Sequence, residues 1–128
     1  MSTVCIHNGT ILAGYALMER CAVLIEDGRI ADVFSERRLE QKRLAPGTLV
    51  YDAEGSYIAP GLIDTHIHGF AGAGTEDLSA EAILEMSAGL GRFGVTAFCP
   101  TIYPMDEGDM IASIEACVKA MGRERGAR

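Results

Sequence analysis

No stretch of this sequence carries about 18 or more consecutive apolar residues, which excludes a transmembrane helix. The opening MSTVCIHNGT lacks a basic n-region followed by an apolar core, so no secretory signal is expected there. There is no C-x-x-C pair. Cys5, Cys21, Cys99 and Cys117 are widely spaced within apolar segments and read as reduced, buried thiols of a cytoplasmic protein. Nor is there a basic cluster long enough to follow a phosphate backbone. With a net charge of −7, nucleic acid is not an expected partner. Histidine is scarce, at three in 128 residues. What is present is apolar material: 48% of the chain is hydrophobic, enough for a packed core rather than disorder.

Two of the three histidines fall in one stretch, IAPGLIDTHIHG at positions 58–69. Pro60-Gly61 makes a turn, and Leu62 to His68 suits a β-strand. Side chains alternate along a strand, so Asp64, His66 and His68 share one face and Ile63, Thr65 and Ile67 the other. Residues two apart are roughly 6.6 Å apart along the strand, close enough for two imidazoles to lean onto one metal ion. The opposite face is apolar enough to pack under helices. A pair of hydrogen-bonded histidines at a strand end is the plainer reading of the same residues. Asp64 lies one step deeper than the histidines. A hydrogen bond that orients one of them, or a place in the interior, suits it better than ligation.

Upstream, Val4–Ile6 and Thr10–Leu12 flank Asn8-Gly9, a hairpin dipeptide that places His7 at the surface beside the turn. Ala22–Glu26 and Arg29–Phe34 flank a second such dipeptide, Asp27-Gly28. Residues 35–48 are polar and charged and read as a solvated connection, either a helical turn or a loop ending at Pro46-Gly47. Short strands at Leu49–Ala53 and Ser56–Ala59 lead into the histidine strand. A boundary near residue 57 therefore separates a β-rich segment, 1–57, from a second unit, 58–128.

Downstream, FAGAGTED is a glycine-rich loop, mobile in principle, and its spacing does not fit a phosphate-binding G-x-G-x-x-G. Ser79 is placed to cap a helix whose inward stripe is Ile83, Met86, Leu90 and Phe93, ending at Gly91 and Gly94. Val95–Pro100 is a second buried strand; strand packing explains its Cys99 better than metal ligation does. Pro104 and Asp106 open a second helix with Met110, Ile114, Cys117 and Met121 inward and Gly122 at its end. A charged helix end, Arg123–Arg128, follows. Strands alternating with helices imply an α/β fold with parallel βαβ units.

PGLIDTHIHG resembles the first barrel strand of the amidohydrolase superfamily of metal-dependent hydrolases. HGFAGAGTED and GVTAFCPT, with IHNGTIL and VLIEDGRIADV upstream, narrow the resemblance to the N-acetylglucosamine-6-phosphate deacetylase family. The resemblance implies a small N-terminal β-domain, part of a β-sandwich, followed by the first two strand-helix units of a (β/α)8 barrel. Such a barrel takes roughly 250 residues and at least about 200. Only about 70 follow the β-region, so the barrel is incomplete and the chain is expected to be the N-terminal part of a longer enzyme.

The resemblance further implies His66 and His68 as metal ligands and Asp64 as a supporting residue behind them. The ion would be divalent, zinc first, with iron, manganese or cobalt as alternatives. Family members vary at the position of His66, some carrying glutamine, and the histidine kept here leaves a second metal open. The remaining ligand glutamate, the catalytic aspartate and the phosphate-binding residues are expected beyond residue 128, so no catalytic residue is assigned within the chain. The implied reaction removes acetyl from N-acetylglucosamine 6-phosphate to give glucosamine 6-phosphate and acetate, in a cytoplasmic homodimer without membrane or nucleic-acid partners. Two other readings stand beside it. One is a cyclic-amide hydrolase of the dihydroorotase or hydantoinase type, which shares D-x-H-x-H but usually follows it with a different pattern than HGFAGAG. The other is a non-catalytic module that pairs through an open sheet edge. The isolated 128-residue chain is expected to show no deacetylase turnover and to self-associate or unfold readily; turnover by a chain of mass-verified length would overturn this.

Overall fold

The computed structural model describes residues 2–128, which divide into two compact units, residues up to Pro60 and Gly61–Arg128. This division lies three residues beyond the boundary read from the sequence, because Tyr57 and Ile58 still pair with the first strand.

The first unit is a five-stranded sheet. Strands β1 (Thr3–Ala13), β2 (Ala16–Glu26) and β3 (Arg29–Ser35) form an antiparallel meander. After helix α1 (Glu36–Gln41), strands β4 (Leu49–Asp52) and β5 (Tyr57–Ile58) both run parallel to β1. Asp27-Gly28 forms the expected hairpin turn, with Asp27 and Gly28 at φ 48° and 76°. Asn8-Gly9 does not. β1 runs straight through it, and its turn comes at Gly14-Tyr15. The same left-handed preference that suits Asn-Gly to a hairpin is used here for a bulge, with Asn8 at φ 56°. The bulge receives the turn between β4 and β5: Ala53 N–H donates to His7 O at 2.8 Å and Gly55 N–H to Asn8 O at 2.7 Å. A Cβ on Gly9 would lie 2.7 Å from Ser56 O, so only glycine fits. Asp52 Oδ1 accepts from Glu54 N–H and from Asn8 Nδ2, at 2.7 and 2.6 Å, and these bonds hold its carboxyl below the usual carboxylate range.

One face of this sheet buries Cys5, Ala22, Leu24 and Phe34 under Leu39 and Leu44. The other presents Ile6, Val23, Ile25 and Val33 along an apolar groove that Ile58 and Pro60 also line.

The second unit is strand, helix, strand, helix. Strand β6 (Leu62–Ile67) is followed by a short hairpin, β7 (Gly69–Phe70) and β8 (Ala73–Gly74), and a 3-10 turn at Thr75–Asp77. Helix α2 (Ala80–Gly91), strand β9 (Val95–Pro100) and helix α3 (Glu107–Ala120) complete it. β9 lies parallel to β6. The glycine-rich loop, expected to be mobile, is thus built structure. Ala71 and Gly72, at φ 56° and 85°, make the two-residue turn that a tight hairpin requires, and Ala73, Gly74 and Thr75 are buried.

The core joins Ile83, Leu84, Met86 and Leu90 of α2 to Phe98 of β9 and Ala120 of α3. Ser79 occupies the N-cap position of α2 without a side-chain bond. Two apolar stripes differ from expectation. Phe93 is 72% exposed: it follows α2, and its ring meets that of Phe70 edge to face with centroids 5.6 Å apart. On α3 the buried residues are Ser113, Ala116 and Ala120, with Cys117 partly buried, whereas Ile114 and Met121 face outward. The helix has apolar residues on two faces. On the small face Ser113 donates to the carbonyl of the buried Thr75 at 2.7 Å.

Residues 123–128 are not a helix end. Ser87 Oγ donates to Ala127 O at 2.6 Å and accepts from the N–H groups of Arg125 and Gly126, and Ala127 is fully buried. Arg128 then bonds to β9 in the parallel pattern, its N–H to Thr96 O and its carbonyl accepting from Phe98 N–H, at 2.9 and 2.8 Å.

All four cysteines are free. Cys5 is buried as expected, but Cys99 is exposed, on the face of β9 away from the core residue Phe98. Burial pushes the Cys5 and Cys117 thiols upward, so both form less thiolate at a given pH. Alkylation at pH 8 followed by mass spectrometry should therefore label Cys99 first and Cys5 last. Ser87→Ala should cost about 1–3 kcal/mol, since it strands three backbone groups. A lower urea midpoint at unchanged slope would show this, and an unchanged midpoint would mean water replaces the hydroxyl.

Candidate functional site

β6 is short because Pro60-Gly61 precedes it and the chain bends at His68 before Gly69 opens β7. Gly61 is required where it stands, as a Cβ there would collide with the side chain of Thr96 on β9. The pairing of β6 with β9 is irregular between Asp64 and Ile67, the segment that carries the first histidine. Asp64 Oδ1 accepts the backbone N–H of His66 at 3.1 Å. Its bond is thus to the main chain of the histidine strand, not to an imidazole.

His66 of β6 and His68, in the bend one residue past the observed end of the strand, come together there. Their ring centroids are 5.2 Å apart, edge to face. His66 is exposed and His68 half-buried. His68 is held on three sides. Its Nδ1 lies 2.9 Å from Thr101 O, its ring stacks on Tyr103 at 4.0 Å, and its backbone carbonyl accepts from Thr75 N–H at 2.9 Å. A carbonyl oxygen only accepts, so Nδ1 carries a proton, and in the neutral ring the lone pair is then on Nε2. That tautomer suits a metal ligand, and a backbone carbonyl behind a histidine is a usual support for one.

Around the rings lies an open depression bounded by the β7–β8 hairpin, Glu76 and Tyr103. The Glu76 carboxylate sits over Gly74, in the space that a Cβ on that glycine would take. Among the described residues no third His, Cys, Asp or Glu joins the pair to complete a metal-holding group. Two imidazoles with a free Nε2 on His68 fit a divalent ion as part of a ligand set, one short of the three protein ligands of a catalytic zinc site.

His7 lies within β1 of the first unit. Cys99 does not enter any metal-holding group among the described residues. Sequence reasoning missed Thr75, Ser113 and Tyr103, which hold His68 directly or at one remove. None is part of an H-x-H pattern, and the only signal for Thr75 was its place in the TED turn before α2.

No family model matches the chain. Among curated proteins, N-acetylglucosamine-6-phosphate deacetylase of Bacillus subtilis (strain 168) is 36% identical over 107 residues, 81% of this chain and 24% of that protein. Dihydroorotase of Solibacter usitatus (strain Ellin6076) is 34% identical over 113 residues, 86% of this chain and again 24% of the relative. The chain thus spans about a quarter of the length of the curated relatives it matches. Among solved structures, N-acetylglucosamine-6-phosphate deacetylase from Pasteurella multocida superposes with a TM-score of 0.82 over 98% of this chain and 32% of that one, at 16% identity, a likeness of fold. The strand-end histidines, the parallel strand-helix order and these likenesses agree: the chain belongs to the amidohydrolase superfamily and matches its N-terminal region.

Proposed function

We propose that the chain is the N-terminal part of a metal-dependent deacetylase that converts N-acetylglucosamine 6-phosphate to glucosamine 6-phosphate and acetate. The observation that carries this is His68, whose Nδ1–H is tied to Thr101 O while its ring lies 5.2 Å from that of His66, which leaves Nε2 out of that bond. His66 and His68 would hold the divalent ion, zinc in first place and iron, manganese or cobalt as alternatives. Such an ion, when bound, polarises an amide carbonyl and acidifies a water molecule. The chain's own residues do the rest of what falls to this segment. Thr101 fixes the ring of His68, Tyr103 covers its face, Asp64 holds the strand beneath His66, and the β7–β8 hairpin forms one wall of the depression.

The third ligand, the catalytic carboxylate and the groups that bind the sugar phosphate are placed on residues outside 1–128. In this reading residues 58–128 open a (β/α)8 barrel and residues 1–57 belong to a β-sandwich. The enzyme is a cytoplasmic homodimer acting on a small molecule. The described residues contain no helix long and apolar enough to cross a membrane.

A cyclic-amide hydrolase is the second reading, favoured by the dihydroorotase likeness at nearly the same identity and coverage. Both are tested on the protein purified from its full reading frame, offered N-acetylglucosamine 6-phosphate and dihydroorotate in parallel, with metal content measured. Acetate release, abolished by His66→Ala or His68→Ala beyond the roughly 100-fold that loss of a supporting group costs, is the expected result. Turnover of dihydroorotate alone would move the assignment to the second reading, and a metal-free active protein would sink both.

A further inference from the structure

Thr75 is 1% exposed, lies in the 3-10 turn before α2 and is no metal ligand by chemistry, yet it holds His68 at two points. Its N–H donates to the carbonyl of His68, and its Oγ donates to Thr101 O, the same oxygen that accepts His68 Nδ1, each at 2.9 Å. The first bond fixes the backbone of the histidine. The second fixes the acceptor that sets its tautomer and ring angle. Thr75 is itself fixed from behind, where the fully buried Ser113 of α3 donates to its carbonyl at 2.7 Å. The relay Ser113–Thr75–Thr101–His68 thus links the far helix to the ring through four residues and no titratable intermediary. No buried side-chain polar atom among the described residues is left without a partner, so the relay is fully satisfied.

From this geometry we infer that Thr75 is a positioning residue: it keeps Thr101 O where it holds His68 in the Nδ1–H tautomer with Nε2 directed into the depression, and Ser113 supports it. Valine at position 75 would keep the branched shape and remove only the hydroxyl. Thr101 O would then lose one of its two donors and part of the restraint on its position, so the Nδ1–H tautomer of His68 would be less firmly set. Second-layer groups of this kind change metal affinity about 10- to 100-fold.

The inference rests on the metal reading above, and two measurements keep the two apart. In the metal-free protein from the full reading frame, long-range proton–nitrogen spectra of ¹⁵N-histidine report the His68 tautomer, its signal identified by its loss in His68→Gln. Wild type should show a protonated Nδ1 and Thr75→Val a mixture of tautomers, with Thr75→Ser restoring the wild-type signal. Zinc affinity, measured by competition with a chelating dye, should fall about 10- to 100-fold in Thr75→Val and recover in Thr75→Ser. An unchanged tautomer and unchanged zinc affinity in Thr75→Val would overturn the inference. Wild-type protein that binds no zinc would sink the metal reading, while the spectra still decide the role of Thr75. Should Thr75→Val fail to fold, Ser113→Ala decides the matter: a shifted His68 signal supports the relay, and an unshifted one overturns it.

Discussion

The backbone oxygen of Thr101 accepts two hydrogen bonds, one from an imidazole and one from a buried hydroxyl, and the same residue's N–H reaches back to Ile67 O at 2.8 Å. That peptide sits just past the end of β9, so it exists in this place only because β9 lies parallel to β6 and in a register that brings Pro100 beside Ile67. The register in turn depends on the close approach of Gly61 to Thr96 and on the packing of Phe98 against α2. The chemistry of the strand end is therefore inherited from the packing below it. A carbonyl with both lone pairs used by the protein is also well placed to resist drift, because moving it would break two bonds at once, one of them from the buried Thr75 hydroxyl.

Features encoded in local pattern were legible in the sequence. Val95–Pro100 came out as a strand at the bounds observed, since VTAFCP is a short β-branched and aromatic run closed by proline and preceded by Gly94 at φ 80°. Ile83, Met86 and Leu90 were recognisable as the buried stripe of α2 because Glu81 and Glu85 break the apolar pattern on the opposite side. His66 and His68 stood out by scarcity and spacing.

What tertiary context decides was not legible. Asn8-Gly9 has hairpin chemistry, and only the partner turn at Ala53–Ser56 shows that it is a bulge. On α3, apolar residues lie on two faces at similar spacing, and the buried one is the face with less hydrophobic area, where Ser113 reaches a carbonyl 38 residues away. The exposed thiol of Cys99 follows the same rule, since an apolar segment marks a strand but not which of its faces meets the core. Thr75 could not be singled out at all, because its contribution consists of where its hydroxyl and N–H point, and one-dimensional periodicity carries no such information.

The hairpin of β7 and β8 has a consequence for how any ligand would be admitted. Its turn is already closed, Ala73 and Gly74 are buried, and the Phe70 ring fills the space left by the absent side chain of Gly89. A wall set in advance loses no conformational entropy when a molecule settles over His66 and His68, so that cost falls on the ligand alone. Selection on this side is then steric exclusion by a fixed template, and a lengthened hairpin would redraw the outline of what can enter rather than change how quickly the entrance opens.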